Sequence, residues 1–358
     1  MKVGKEYFIN YYNQKIRPEI LKFTKQHKVC LEKFNKQAKG VKTNSVLNAF
    51  IMPILKFSVL FIFIMFFSPF AAILFDKAPI IAVILMLVAV ISIPLLFIGS
   101  GIKCVLDIFA AINVFLPFYN NLTSLSELES QIKKAVMPVF CQMFKNLKWC
   151  YGTYQNRLQI FNSKVIPAGF DYKKGYDLDD IFYGVIDDVR FEIIELKVPL
   201  LSNIVSNNIP KEQEMISSIV LKIDTNKKFN NHTLVYPSYC EKPLDFIETQ
   251  LEDVVFEYKY NVYTHNETEA RYLITPKFME ALNNAKRVLK CEDICCSFYN
   301  NNLFVLLDYK VKSENELFGH DLFSVNIYNE NIDDVHIYMK IFSELTNFLK
   351  VINYFKRA

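Results

Sequence analysis

Phe57 to Phe75 reads FSVLFIFIMFFSPFAAILF, nineteen residues without a charge, and after Asp76 and Lys77 a second uncharged run continues from Ala78 to Ile102. A helix of that length spans roughly 28 Å, against about 30 Å for the hydrocarbon core of a bilayer. A helix in a water-soluble core needs one apolar face. Two runs that are apolar on every face, joined by two charged residues, therefore predict a transmembrane hairpin. Pro69 and Pro94 inside the runs predict kinks, because neighbouring helices re-satisfy the carbonyls that proline frees in lipid. Neither run contains Asp, Glu, Lys, Arg or His, the residues that mark ion paths and proton relays, so the hairpin reads as an anchor.

The flanks orient it. Met1 to Asn44 holds eleven basic residues against Glu6, Glu19 and Glu32, a net +8, and the chain's total of +4 leaves −4 for the rest. Lys103, Lys133, Lys134, Lys145, Lys148 and Arg157 carry the basic bias past the second run. The positive-inside rule then predicts a multi-pass protein of the inner membrane with both termini cytoplasmic. A basic arm just before a membrane span is drawn to anionic lipid, which is a simpler account of it than nucleic acid. Cys104 to Phe118 is apolar but contains Asp107 and Asn113 and is short for a crossing, so it is expected to lie along the interface. A third span there would carry Lys133 to Arg157 to the wrong side. The first forty residues are polar and lack the apolar core of a cleavable leader. Eight cysteines without framework spacing read as reduced, small core residues.

Periodicity organises the remainder. Phe8, Tyr12, Ile16, Ile20, Phe23, His27, Leu31, Phe34 and Ala38 recur in steps of three and four and predict one helical stripe, started or bent at Pro18, with His27 packed inside it. Leu128, Ile132, Val136, Phe140, Met143 and Leu147 predict a second amphipathic helix. From Asp180 the period changes to two. IFYGVIDDV and RFEIIELKV read as strands joined near Asp187 and Asp188. Further strands are expected at Ile216 to Ile223, Thr233 to Tyr236, Val254 to Thr264, Glu269 to Ile274, Ile294 to Phe298 and Leu303 to Tyr309. Asn300 to Asn302 reads as a hairpin turn. A terminal helix with apolar positions from Val335 to Ile352 closes over the sheet. The expected fold is a membrane-anchored α+β protein: a two-helix transmembrane hairpin, juxtamembrane helices, and a cytoplasmic, mainly antiparallel β domain closed by a C-terminal helix. Its expected divisions are 1–50, a basic helix; 51–102, the hairpin; 103–150, interfacial and stalk helices; and 151–358, the cytoplasmic domain.

Within the last division, FEYKYNVYTHNETEARYLITPKFMEAL, Phe256 to Leu282, with its core of Glu269, Ala270, Arg271, Tyr272, Leu273, Ile274, Thr275 and Pro276, resembles the most recognisable part of a bacterial membrane-protein family, domain of unknown function 3137. The basic first helix, the hairpin, the meander from Asp180 and the run IVLKIDTNKKFNNHTLVYP, Ile219 to Pro237, agree with it. Asn266 stands where that family's turn has an aspartate. The resemblance implies a membrane protein with a cytoplasmic domain, and brings no activity, substrate or cofactor.

Catalytic signatures are missing. No glycine-rich phosphate loop, paired-histidine metal motif or nucleophile elbow occurs, and nine glycines leave few cradle-type loops. Cys291, Cys295 and Cys296 invite zinc, but alternation in ICCSF sends Cys295 and Cys296 to opposite faces. Asp179 with Asp180, and Asp187 with Asp188, could hold a cation, although paired acids at strand ends are usually solvated turn residues. No cofactor, metal, nucleic acid or small-molecule substrate is expected. The expected function is a non-catalytic, membrane-anchored protein, with the lipid bilayer and another protein as partners, whose domain organises a complex. The alternative is a membrane-surface enzyme or lipid-binding module that uses His265, Glu267, Glu269 and Arg271, the candidate contact surface. Alternation on Val254 to Thr264 and Glu269 to Ile274 predicts a hairpin with Tyr260 opposite Tyr272. Thr275 is expected to cap a helix that starts at Pro276, with Ile274 and Met279 as its hydrophobic staple.

Overall fold

The computed structural model describes residues 4–38, 116–117, 119–121, 123–167, 177–199, 215–225, 227–291, 293–308 and 322–357. Met1–Lys22, Ile132–Asn326 and Asn331–Ala358 make one unit, and Phe23–Gln131 with Ile327–Glu330 make another.

Among the described residues the larger unit has nine strands: β1 (Leu147–Tyr151), β2 (Asp177–Ile186), β3 (Val189–Pro199), β4 (Met215–Asp224), β5 (Thr233–Pro237), β6 (Ile247–Thr249), β7 (Tyr260–Thr264), β8 (Asp293–Tyr299) and β9 (Asn302–Asp308). They form one sheet in the order β1-β2-β3-β4-β9-β8-β5-β7-β6, and every neighbouring pair is antiparallel. Two hairpins have local causes. Asp187 and Asp188 take φ of 45° and 67°, and Asn300 and Asn301 take 55° and 60°. These are the left-handed conformations that a two-residue turn requires and that Asp and Asn tolerate. The expected turns at both places are therefore present.

Both faces of the sheet are apolar. Ile181, Ile194, Val220, Leu234, Tyr263, Cys295 and Leu306 share a core with Ile160 and Val165, from the helix Tyr154–Ser163 and the residues just after it. The two-residue period sends Phe182, Ile193, Leu221, Val235 and Cys296 to the other face, where they too are buried. There Phe323 lies 4.7 Å from Phe182 and 6.3 Å from Phe348 of the C-terminal helix Val335–Lys356. Phe278 of the helix Pro276–Leu289 packs 5.2 Å from Phe298 of β8 and 5.8 Å from Phe355.

The N-terminal stripe behaves as its spacing predicts. Phe8, Tyr12, Ile16 and Ile20 are buried, with Phe8 4.9 Å from Phe342 and Tyr12 5.4 Å from Tyr338. Four-residue steps overshoot an α-helical turn by about 40° each. The π-helical turn Tyr12–Ile16 takes more residues per turn and returns the stripe to the same side. It sits just before Pro18, whose missing N–H loosens the ladder at that point. In the smaller unit, His27 on the helix Thr24–Ala38 is buried, its Nε2 2.7 Å from the Ile327 carbonyl, and Phe34 lies 5.7 Å from Tyr328. The second predicted amphipathic helix runs over 123–141, with Leu128, Ile132, Val136 and Phe140 buried. Leu147 belongs to β1 instead.

Several expectations are corrected. Among the described residues no helix is long and apolar enough to cross a membrane, and the fold seen is a nine-stranded antiparallel sheet with helices. The membrane-anchored fold class, with its transmembrane hairpin, gives way to that architecture. The multi-pass inner-membrane location with cytoplasmic termini falls on the same finding. The physical reason lies in the helices themselves, which are one-sided. Val335–Lys356, 22 residues long, buries Tyr338, Ile341, Leu345, Phe348 and Ile352 and exposes Lys340, Ser343 and Lys350; a sheet can use such a face, whereas lipid requires apolar residues all round. The uncharged runs 57–75 and 78–102 lie outside the described residues, as does most of 104–118.

The two strands expected at Val254 to Thr264 and Glu269 to Ile274 are also revised. Val254–Lys259 is a helix whose N-cap, Asp253, accepts from the amides of Val255 and Phe256, and only Tyr260–Thr264 is strand. Glu267–Leu273 is a helix as well, capped by Asn266, which accepts from the Glu269 amide at 3.0 Å. Asn266 followed three residues later by Glu269 is a helix-start signature, and Glu267 and Glu269 in the first turn with Arg271 in the last suit the helix dipole. These local signals outweigh the alternation. The Tyr260–Tyr272 register is therefore replaced: Tyr260 pairs with Pro237, and Tyr263 with Leu234 and Glu248. An asparagine caps about as well as an aspartate, which accounts for Asn266 where an acid was expected.

Thr275 is the N-cap of Pro276–Leu289, accepting from the Phe278 amide at 3.2 Å, with Pro276 at the first position and both Ile274 and Met279 buried. Replacing Thr275 by alanine should lower stability by about 1 kcal/mol. Arg271→Ala, at an exposed position, should leave the melting temperature of the full chain unchanged; a fall as large as that of Thr275→Ala would mean that Arg271 is structural.

Candidate functional site

Three groups of polar side chains come together in the larger unit, and each has a local cause. The first begins at a β-bulge. Between Leu178, paired with Leu196, and Ile181, paired with Ile194, β2 has two residues where β3 has one, so Asp179 and Asp180 lie opposite Glu195. The extra residue brings three carboxylates together, with one oxygen of each within 4.8 Å of the others. The sequence offers Asp179 and Asp180 as a cation pair; Glu195 joins them only through the strand pairing. Lys133, from the helix over 123–141, donates to Asp180 at 2.7 Å and to Asp179 at 3.2 Å. The Trp149 indole donates to the other Asp180 oxygen at 2.7 Å, and the Leu322 amide to Glu195 at 2.8 Å. Lys133 is 3% exposed, and Asp180 and Glu195 are fully buried. The ammonium bridges Asp179 and Asp180, so this part of the cluster is a seam between helix and sheet. Burial together with the Asp180 charge pushes the Cys141 thiol beside it up to about 12.

The second group closes the helix Tyr154–Ser163, which begins with a capping box between Thr153 and Asn156. The last carbonyls of a helix lack intrahelical partners. Here the Ser163 carbonyl accepts from His232 Nε2 at 2.7 Å and from Ser297 Oγ at 2.5 Å, and the Lys164 carbonyl accepts from the Tyr236 hydroxyl. Ser297 Oγ also lies 2.9 Å from His232 Nε2, a spacing that suggests an activated nucleophile. The shared carbonyl argues otherwise, because Nε2 must carry the proton that it donates to Ser163 and so cannot take one from Ser297. His232 packs 4.9 Å from Tyr299 and 5.2 Å from Phe246. Burial, with the charges of Lys164 and His265 adding to it, lowers its pKa from 6.5 to about 4.

The third group is the contact surface expected from the sequence, which the structure divides. The Glu269 carboxylate accepts from the amides of Asn230 at 3.1 Å and Asn231 at 2.7 Å and from Asn231 Nδ2 at 3.3 Å, anchoring the turn that leads into β5. His265 is exposed and stacks on Phe246 at 4.2 Å, while Glu267 and Arg271 are exposed on their short helix. Nearby lies a feature that the sequence reading missed. Leu244 is 86%, Val254 77%, Val255 68% and Tyr258 84% exposed, beside β6, the three-residue strand at one end of the sheet. The signal was available: Asp253 before Val254 is a capping residue, and a helix there turns Val254, Val255 and Tyr258 to one side. Cys295 and Cys296 do lie on opposite faces, both buried.

These observations define a class of protein: among the described residues, a nine-stranded antiparallel sheet covered by helices, with Lys133, Asp180 and His232 in the seams between them. Residues 217–357, from β4 through the C-terminal helix, match the model of the family described as protein of unknown function (DUF3137). This is the family that Phe256 to Leu282 resembles. No curated protein and no solved structure matches the chain.

Lys133→Met should destabilise the protein by about 3–5 kcal/mol, since it leaves buried carboxylates without their ammonium. Adding Asp180→Asn should restore part of that loss; urea unfolding of both variants measures it, and an unaltered midpoint in Lys133→Met would remove the seam from the account. His232 gives a pH prediction with a definite sign. Its folded pKa lies below its unfolded one, so between pH 6.5 and about 4 the unfolded chain binds more protons and stability falls as pH falls. Above that window the contribution is complete. In His232→Gln, which keeps a donor for Ser163 without titrating, unfolding midpoints over this range should depend less on pH than in the parent chain.

Proposed function

We propose that the chain is a non-catalytic binding protein whose partner is another protein. The observation that carries this reading is the contrast between its buried and its exposed side chains. Buried ionisable groups, the residues from which active sites are made, hold other elements to the sheet: Lys133 and Asp180 a helix and Glu195 the turn at Leu322 on one face, and His232 a helix end on the other. Apolar side chains that a helix would ordinarily bury stand in solvent, with Leu244, Val254, Val255 and Tyr258 all at least 68% exposed within fifteen residues. Exposed apolar side chains gathered in this way, among polar neighbours, mark a surface that a protein partner covers. His265, Glu267 and Arg271, beyond the far end of β7, are exposed polar groups that a protein partner could also touch.

A photo-crosslinking amino acid in place of Tyr258 or Arg271, introduced into the full chain in living cells, tests the proposal, with Lys350 on the C-terminal helix as the control position. A discrete adduct with another protein is expected from the first two positions and not from the third. The same faint smear from all three would leave the chain without a partner at this surface.

A further inference from the structure

The stretch from Tyr239 to Lys259 contains Glu241, Asp245, Glu248, Glu252, Asp253 and Glu257 against Lys242 and Lys259, a net −4. Residues 45–358 as a whole also net −4, so this short stretch carries all the excess negative charge of the chain beyond its basic N-terminal arm. It is also the stretch that exposes Leu244, Val254, Val255 and Tyr258.

Its parts are held together. Ser238 donates from its amide to the Lys259 carbonyl at 2.9 Å and from its hydroxyl to the Tyr258 carbonyl at 3.2 Å, which sets Tyr239 beside the end of the helix Val254–Lys259. The Leu251 amide donates to Glu257, and Asp253 caps the helix, so two of the six acids are used within the stretch. Glu241, Asp245, Glu248 and Glu252 are exposed. A neutral apolar partner would take these carboxylates out of water with nothing to offset the cost, whereas a basic one supplies counter-charges at the rim.

We infer that this surface docks a lysine- or arginine-rich protein segment that bears apolar side chains: the apolar residues lie on Val254, Val255 and Tyr258, and the basic ones meet Glu241, Asp245, Glu248 and Glu252. The inference rests on the protein-binding reading above and names the chemistry of the partner. Apolar contact supplies the hold, and charge supplies the selection and a dependence on salt.

Fluorescence anisotropy of the purified full chain with two labelled probes tests it, one an amphipathic peptide of lysine and leucine and the other its glutamate and leucine counterpart. The lysine peptide should bind at least about tenfold more tightly, and added salt should narrow the difference. Val255→Ser combined with Tyr258→Ser, at positions too exposed to unsettle the core, should weaken that binding about tenfold, and Glu248→Lys with Glu252→Lys should do the same. Circular dichroism of both variants should match that of the parent. Equal binding of the two peptides, or lysine-peptide binding that neither pair of substitutions changes, overturns the inference. If crosslinks from position 258 appear in cells while the peptides bind equally, the basic partner is wrong and the protein-binding reading stands.

Discussion

A strand segment buried on both faces has no side left for water, and the middles of β2, β3 and β4 are such segments. Ile181, Ile194 and Val220 point one way and Phe182, Ile193 and Leu221 the other, all of them buried. Each apolar face has to be covered, and the order of the other elements follows from that requirement. The helix Tyr154–Ser163 and the residues after it lie on one face. The helices Pro276–Leu289 and Val335–Lys356 lie on the other, with the N-terminal stripe of Phe8 and Tyr12 packed against Val335–Lys356 in turn. At roughly 25 cal/mol for each Å² of apolar surface removed from water, such layers supply most of the drive to fold.

Polar groups inside this layered core are placed where a helix meets the sheet. Hydrophobic contact is non-directional and does not by itself fix how a helix lies; a charge pair or a capped carbonyl does. Lys133 fixes the helix over 123–141 to the bulge at Asp179 and Asp180. His232, Ser297 and Tyr236 fix the end of Tyr154–Ser163 through its last carbonyls, and Glu269 fixes the turn before β5. Each of these bonds ties a helix or a turn to the sheet at a defined place. The surface near β6 is the opposite case, because there the apolar side chains are unmet and the acids lie in solvent.

Much of the fold was legible because it rests on local rules. The left-handed turns at Asp187–Asp188 and Asn300–Asn301, the Thr275–Pro276 helix start, the N-terminal stripe and the closing helix all follow from the preferences of a few neighbouring residues. Where two local signals competed, alternation was the weaker guide. Val254 to Thr264 and Glu269 to Ile274 alternate like strands, yet Asp253 and Asn266 cap helices there. Caps satisfy backbone amides that would otherwise lack partners, whereas alternation only describes which side chains would be buried if a partner strand were present. The membrane-anchored fold was read from the composition of 57–102, and the one-sided helices of the described chain do not carry that reading.

The sequence by itself determined which short segments turn, which begin helices, and which carry apolar residues at a helical or a two-residue period. It did so because those properties depend on backbone sterics and side-chain chemistry over a few residues. Strand order was decided only in three dimensions: β9 and β8 lie between β4 and β5, and β5 and β6 flank β7, pairings between segments far apart in the chain. The same holds for the two sites that matter most. Glu195 meets Asp179 and Asp180 through a bulge, and Lys133 meets the two aspartates through helix packing, while the exposure of Val254, Val255 and Tyr258 is a property of the folded chain that their apolar character does not announce.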